Sequence, residues 1–231
     1  MKKLMYAMFG LGLLGLVFGI GALVYVGNMP AATTLNGADA SPNKPTLVIP
    51  PFELIDQTGA ARTRADVIES HVTIVDFFFT NCPLACPVMT GKLQELQKKL
   101  AGTGVRFASF SIDAANDTPA VLTDYINIRF KIDTSNWTFL TELPAPGKPV
   151  RNIGRAIFAN DLMQFVEDRP EEKIQTSAGT EMANIYHSVN FFLVGPDGTV
   201  LGWYNSQKPE ELTMLKDHAV GAARKFLSAS R

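Results

Sequence analysis

The chain contains two cysteines, Cys82 and Cys86, with three residues between them and a proline after each. A disulfide at this spacing closes a very short loop, and short loops gain least in the chain-entropy account of cross-linking. Stability is therefore a poor reason for the pair. Its position suggests chemistry instead. The pair falls where an apolar run ends and a helically spaced segment begins, and the carboxyl edge of an open α/β sheet is where sites collect. A helix start offers free N–H groups and a partial positive charge, which favour thiolate over thiol. Thiolates placed there can exchange with disulfides or hold a soft ion such as Cu(I) or zinc. Cys82 and Cys86 stand at i and i+4, so both sulfurs share one face if the first turn is helical. Two ligands leave a copper site incomplete, and a third must come from elsewhere.

Three histidines are available: His71, His187 and His218. His71 precedes the central apolar strand, at the edge opposite the cysteines. His218 lies in the closing helix, at a partly exposed position. His187, in "NIYHSVNFF", stands just before a strand, and its loop reaches the cysteine edge if that strand runs antiparallel to the central one. Two cysteines and an imidazole suit copper in either oxidation state. Met89 could offer a soft sulfur, but its spacing reads as core filling. Asp113 and Asp117 follow the next strand, and their expected role is helix capping rather than support of the site. Phe77, Phe78 and Phe79 read as core and as a hydrophobic wall, Trp137 and Trp203 as packing residues.

These side chains must be positioned by alternating elements. "FELIDQTGAART" reads as two short strands around a turn. "HVTIVDFFFT", 71–80, is a buried central strand, apolar and β-branched over a strand's length. "PVMTGKLQELQKKLAG" has helical spacing, with Lys98 and Lys99 in its last turn and Gly102 as a stop signal. "VRFASFSID", 105–113, is the next strand. "DTPAVLTDYINIRF" is a helix with Asp117 or Thr118 as cap and Pro119 in its first turn. "WTFLTE" is a third strand and "VRNIGRAIF" a helix. "SVNFFLVGPDGTVLGWYN" is a hairpin turning at Pro196-Asp197-Gly198, and an amphipathic helix closes the chain. The order β-α-β-α-β-α-β-β-α, with a hairpin in front, predicts an α/β fold with a mixed sheet.

The 231 residues carry 21 basic and 22 acidic side chains, a net charge of −1. That gives no electrostatic footprint for nucleic acid. From Leu4 to Ala38 there is no charged residue, and Leu4–Val26 is 23 residues, about 34 Å as a helix. That length spans a bilayer's hydrocarbon core, with Tyr6 and Tyr25 near its two ends and Lys2 and Lys3 on the cytoplasmic side. The apolar run exceeds that of a cleaved signal peptide, although "NMPAAT" offers small residues for cleavage. The expected organisation is a transmembrane anchor over 1–28, a linker over 29–50 rich in Ala, Pro, Thr and Asn, and an exported domain over 51–231. The setting is a bacterial cytoplasmic membrane with the domain on its periplasmic side.

Several segments resemble the Sco/SenC copper chaperones. "FFFTNCPLACPVMTGKLQELQKKL" looks like their core motif, and "SFSIDAANDTPAVLTDYI", "NWTFLT" and "HSVNFFLVGPDGTVLGWY" look like later blocks in the same order. The resemblance covers about residues 51–225. It implies a thioredoxin-like fold, a copper ion held by Cys82, Cys86 and His187, and delivery to the binuclear copper site of cytochrome c oxidase. The implied partners are the copper-binding subunit of that oxidase and a copper donor protein. The chain departs from the pattern at Leu84 and Tyr186, where the family often carries acidic residues, and in a long insert over 159–182. Losing both carboxylates weakens the shell that would orient the ligands. The rival reading is an exported thiol–disulfide oxidoreductase using Cys82 and Cys86 and needing no histidine. A thiol peroxidase would require an arginine beside the thiolate, and none lies near the motif in sequence.

Overall fold

The computed structural model describes residues 47–143, 149–162, 164–176 and 179–229. The expected anchor and most of the expected linker lie outside them. No helix among the described residues is long and apolar enough to cross a membrane.

Among the described residues, nine strands and five helices follow in chain order: β1 Glu53–Asp56, β2 Ala61–Thr63, α1 Arg64–Val67, β3 Thr73–Phe78, α2 Ala85–Lys99, β4 Arg106–Ser111, α3 Pro119–Asp124, β5 Trp137–Thr141, α4 Ile153–Ala156, β6 Val166–Gln175, β7 Glu181–His187, β8 Asn190–Val194, β9 Val200–Asn205 and α5 Pro209–Ala229. Two helices, α3 and α4, run on as π-helical turns over Tyr125–Phe130 and Ile157–Asp161. Seven strands form one sheet in the order β2-β1-β5-β4-β3-β8-β9. β3 runs parallel to β4 and antiparallel to β8, so the sheet is mixed. The chain joins the fold ahead of Pro51: Val48 bridges Thr199 and Ile49 is fully buried.

All six residues of β3 are buried, which explains why its sequence, Thr73 and Asp76 apart, is apolar instead of alternating. Phe77 packs on one face against Phe110, Phe158 and Phe192, with ring centroids 5.4, 4.6 and 5.8 Å away. Phe78 packs on the other against Tyr125 and Phe139, at 5.5 and 5.6 Å. The expected wall of three phenylalanines is therefore divided between two layers. On the Phe78 face, the hydroxyls of Thr90 in α2 and Tyr125 hydrogen-bond at 2.8 Å. On the other, Gly154 lies so close to β4 that a Cβ there would stand 2.3 Å from the Ser111 carbonyl oxygen. Trp137 is buried and donates its Nε1–H to Ser109 Oγ at 2.8 Å, and Met89 is enclosed in the core.

Two elements differ from the expectation. Much of the 159–182 insert belongs to a second, two-stranded antiparallel sheet formed by β6 and β7, and His187 is the last residue of β7. Neither Asp113 nor Asp117 caps α3. Thr118 does so, its Oγ1 accepting from the Val121 amide at 3.4 Å, because its extended backbone suits the cap position. The two aspartates face inward.

Candidate metal centre

The site forms at the carboxyl edge of β3. The chain leaves Phe78, turns through Thr80–Leu84 and enters α2 at Ala85. Cys82 thus sits ahead of the helix and not in its first turn, correcting the simplest picture of two sulfurs on one helical face. The Cys82 sulfur accepts the Cys86 amide at 3.3 Å, a bond made where the orphan amides of a helix start need acceptors.

The two thiols are electrostatically unlike. Cys82 accepts from the Cys86 thiol first of all and from the amides of Cys86, Leu84 and Ala85. These donors together outweigh burial and hold its pKa down to about 6. Burial pushes the Cys86 thiol well above its ordinary value, and a charge on Cys82 reinforces this. At neutral pH the pair is one thiolate and one thiol sharing a proton-mediated contact.

β8 enters the sheet from this same edge. Its antiparallel register with β3, Val75 opposite Phe192 and Thr73 opposite Val194, carries Asn190 and the residues before it to the cysteine loop. His187 therefore arrives 101 positions from Cys86 in sequence, yet its Nε2 lies 3.8 Å from the Cys86 sulfur. Its Nδ1 contacts the Ser188 carbonyl at 2.8 Å. A carbonyl can only accept, so Nδ1 carries the proton and the neutral ring directs a lone pair from Nε2. Burial lowers the His187 pKa and favours that neutral form. The edges of Phe79 and Phe158, at 5.9 and 6.0 Å between centroids, hold the ring from two sides. Cys82, Cys86 and His187 are 6%, 0% and 8% exposed.

The other candidates lie apart. His71, its Nδ1 near the Glu69 carbonyl, precedes β3 at the far edge. His218 is on α5 and bonds Tyr204 Oη at 2.7 Å. Leu84 is 75% exposed beside the cysteines. Tyr186 points away from the site on β7, stacked on Phe165 at 5.5 Å with the Arg169 guanidinium 4.1 Å from its ring.

Asp117, expected as a helix cap, is instead wholly buried behind the cysteine loop. It accepts the Thr80 hydroxyl at 2.5 Å, the Thr80 amide at 3.2 Å and the Ser111 hydroxyl at 2.6 Å. The Arg129 guanidinium donates to the Thr80 carbonyl at 3.1 Å. An arginine does therefore approach the loop in space, from the π-helical turn after α3, but it is engaged by backbone and not by a thiol.

A thiolate at Cys82, a thiol at Cys86 that would have to lose its proton, and an imidazole presenting a lone pair form a soft donor set. Cys86 and His187, with sulfur and Nε2 3.8 Å apart, would be two of the residues to hold a soft ion. Among the described residues no three His, Cys, Asp or Glu side chains stand together at full metal-holding spacing.

The SCO1/SenC family model matches residues 40–140. A SCO1 protein homolog of Bacillus subtilis is 34% identical over 159 residues, covering 68% of this chain and 73% of that protein. The chain belongs to the SCO1/SenC family. Among solved structures it is similar to BsSco, described as a member of the Sco family of cytochrome c oxidase assembly proteins in which a disulfide switch was identified. The identity is 28%, the TM-score 0.60, and the coverage 78% of this chain and 95% of that one. Bradyrhizobium japonicum ScoI, solved with copper bound, shares the fold at 21% identity and a TM-score of 0.55, covering 78% of this chain and 99% of its own.

Proposed function

We propose that the protein is a membrane-anchored copper chaperone that carries one copper ion on Cys82, Cys86 and His187 and delivers it to the binuclear copper site of cytochrome c oxidase. The observation that carries this reading is the His187 imidazole, its Nδ1 committed to the Ser188 carbonyl and its Nε2 lying 3.8 Å from the Cys86 sulfur. Metal-ligating histidines are fixed in this way by a bond from their other nitrogen. A relative assigned to oxidase assembly and another solved with copper support the cargo and the destination. The apolar stretch Leu4–Val26 supports attachment to a membrane, with residues 29–50 as tether and the domain on the periplasmic side. Anaerobic titration of the reduced protein with Cu(I) should saturate at one ion per chain. Absence of binding, or binding unaffected by both Cys82→Ala and His187→Ala, would overturn the reading.

A second activity is supported by the unlike pKa values of the two thiols. The Cys82 thiolate attacks a target disulfide, forms a mixed disulfide and expels one target thiolate. Cys86, on losing its proton, attacks the Cys82 sulfur and releases the second. Two electrons pass to the target, and a Cys82–Cys86 disulfide remains. Turnover of a disulfide substrate undiminished in His187→Ala would identify this activity as separate from copper transfer.

A further inference from the structure

Thr80 stands two residues before Cys82 and has all its polar groups engaged. Asp117 takes its amide and hydroxyl, and Arg129 takes its carbonyl. The amide of Cys82 itself bonds the Phe79 carbonyl at 3.2 Å. The residues on which the Cys82 sulfur depends for its place over the α2 amides are thus fixed from Asp117, 37 positions from Thr80 in sequence. Asp117 reaches across to Ser111 at the end of β4, so a single buried carboxyl ties the neighbouring ends of β3 and β4 to the start of the cysteine loop. Helix capping would have needed none of this. Thr118 caps α3 unaided, and a carboxyl with no exposed surface is costly to bury unless its bonds are made.

We propose that Asp117 is a positioning residue for the copper site. Acting through Thr80, it sets where the Cys82 sulfur stands relative to the amides of α2 and to the Cys86–His187 edge. Loss of the clamp lets the 80–84 turn shift, so Cys82 leaves its amide donors and presents a displaced ligand. The copper part of this inference rests on the proposed function; the placement of Cys82 does not.

The test uses the reduced full-length chain in detergent, with the variants Thr80→Val, Asp117→Asn, Asp117→Ala and the double variant Thr80→Val/Asp117→Asn. Asp117→Asn keeps the shape but turns an acceptor into a donor facing the Thr80 and Ser111 groups. Two quantities are measured: Cu(I) affinity by competition, and the pH midpoint of Cys82 alkylation followed by mass spectrometry. Each single variant should weaken Cu(I) binding about tenfold or more, the scale seen for outer partners of metal ligands, and should raise the alkylation midpoint. The double variant should do little more than the stronger single, because one path carries both effects. His187→Ala should weaken Cu(I) binding and leave the alkylation midpoint in place. Folded Thr80→Val and Asp117→Asn proteins with the wild-type midpoint, or additive effects of the two, would overturn the proposal. Should Asp117→Ala fail to fold, Thr80→Val decides, since it removes one hydroxyl and keeps the amide. Should the wild-type chain bind no Cu(I), the copper reading fails while the alkylation midpoints still decide whether Asp117 places Cys82.

Discussion

The Nε2 atom of His187 lies 3.8 Å from the sulfur of Cys86, although 101 positions separate the two residues in sequence. Replacing His187 by Ala should therefore weaken Cu(I) binding by more than the loss of an outer partner does, by at least about 100-fold, with little change in fold. Binding should also weaken below pH 6, as Cys82 becomes protonated. Competition titrations from pH 5 to 8 check both.

Cys82 and Cys86 should react very differently with a small alkylating agent. The rate at Cys82 should rise through pH 6 and level off by about 7.5, while Cys86 remains unmodified in the folded protein. Cys86→Ala should raise the Cys82 midpoint, because it removes the side-chain donor that does most to lower it. The same shift has a stability consequence. The folded pKa of about 6 is below the ordinary value of 9.0, so folding releases a proton. The contribution of Cys82 is fully present above pH 9, falls as pH drops, and is gone below pH 6. Urea midpoints of the reduced wild type should rise from pH 6 to 9 more steeply than those of Cys82→Ser.

Asp76 on β3 gives the opposite sign. It is buried, and burial pushes its pKa up to about 7 despite the bond from Ser109 Oγ at 2.5 Å. A raised carboxyl contributes its stability below pH 3.8 and loses it as pH climbs to 7. Asp76→Asn keeps the acceptor for Ser109 and removes the penalty. It should be more stable than wild type at pH 8, and the difference should disappear toward pH 4. Chemical denaturation at the two pH values checks it.

Gly154→Ala should destabilise the domain by about 1–3 kcal/mol, the usual cost of overpacking, because the new Cβ would meet the rigid Ser111 carbonyl. The thermal midpoint should fall, and the loss should propagate to Asp117, which accepts the Ser111 hydroxyl.

What sequence could and could not reveal follows from the range of each signal. The run 73–78 is apolar but for Thr73 and Asp76 because sheet and helices cover it on both sides, and Pro196-Asp197-Gly198 turns a hairpin by local chemistry; both are legible over a few residues. The strand Val166–Gln175 is not. It is mostly charged, carries Pro170 and is largely exposed along its length, so no period of two marks it. Asp117 has its decisive partner 37 residues away, and an aspartate followed by Thr-Pro reads locally as a cap. The direction of β8, on which the arrival of His187 depends, is a property of sheet pairing that no local pattern encodes.

The donors at the site rest on foundations of unequal firmness. Both sulfurs sit where the central strand β3 leads into α2, whereas the imidazole ends a ribbon whose two strands pair only with each other. That ribbon is fastened by a few side chains: Arg155 on Asp168 at 2.8 Å, and Gln164 Oε1 accepting from Ser188 and Asn190 at 2.9 and 3.0 Å. Ile185, buried in the core, and Val166, Ile174 and Met182, packed against it, hold the same ribbon, so opening it would expose apolar surface while leaving the pairing of the seven-stranded sheet intact.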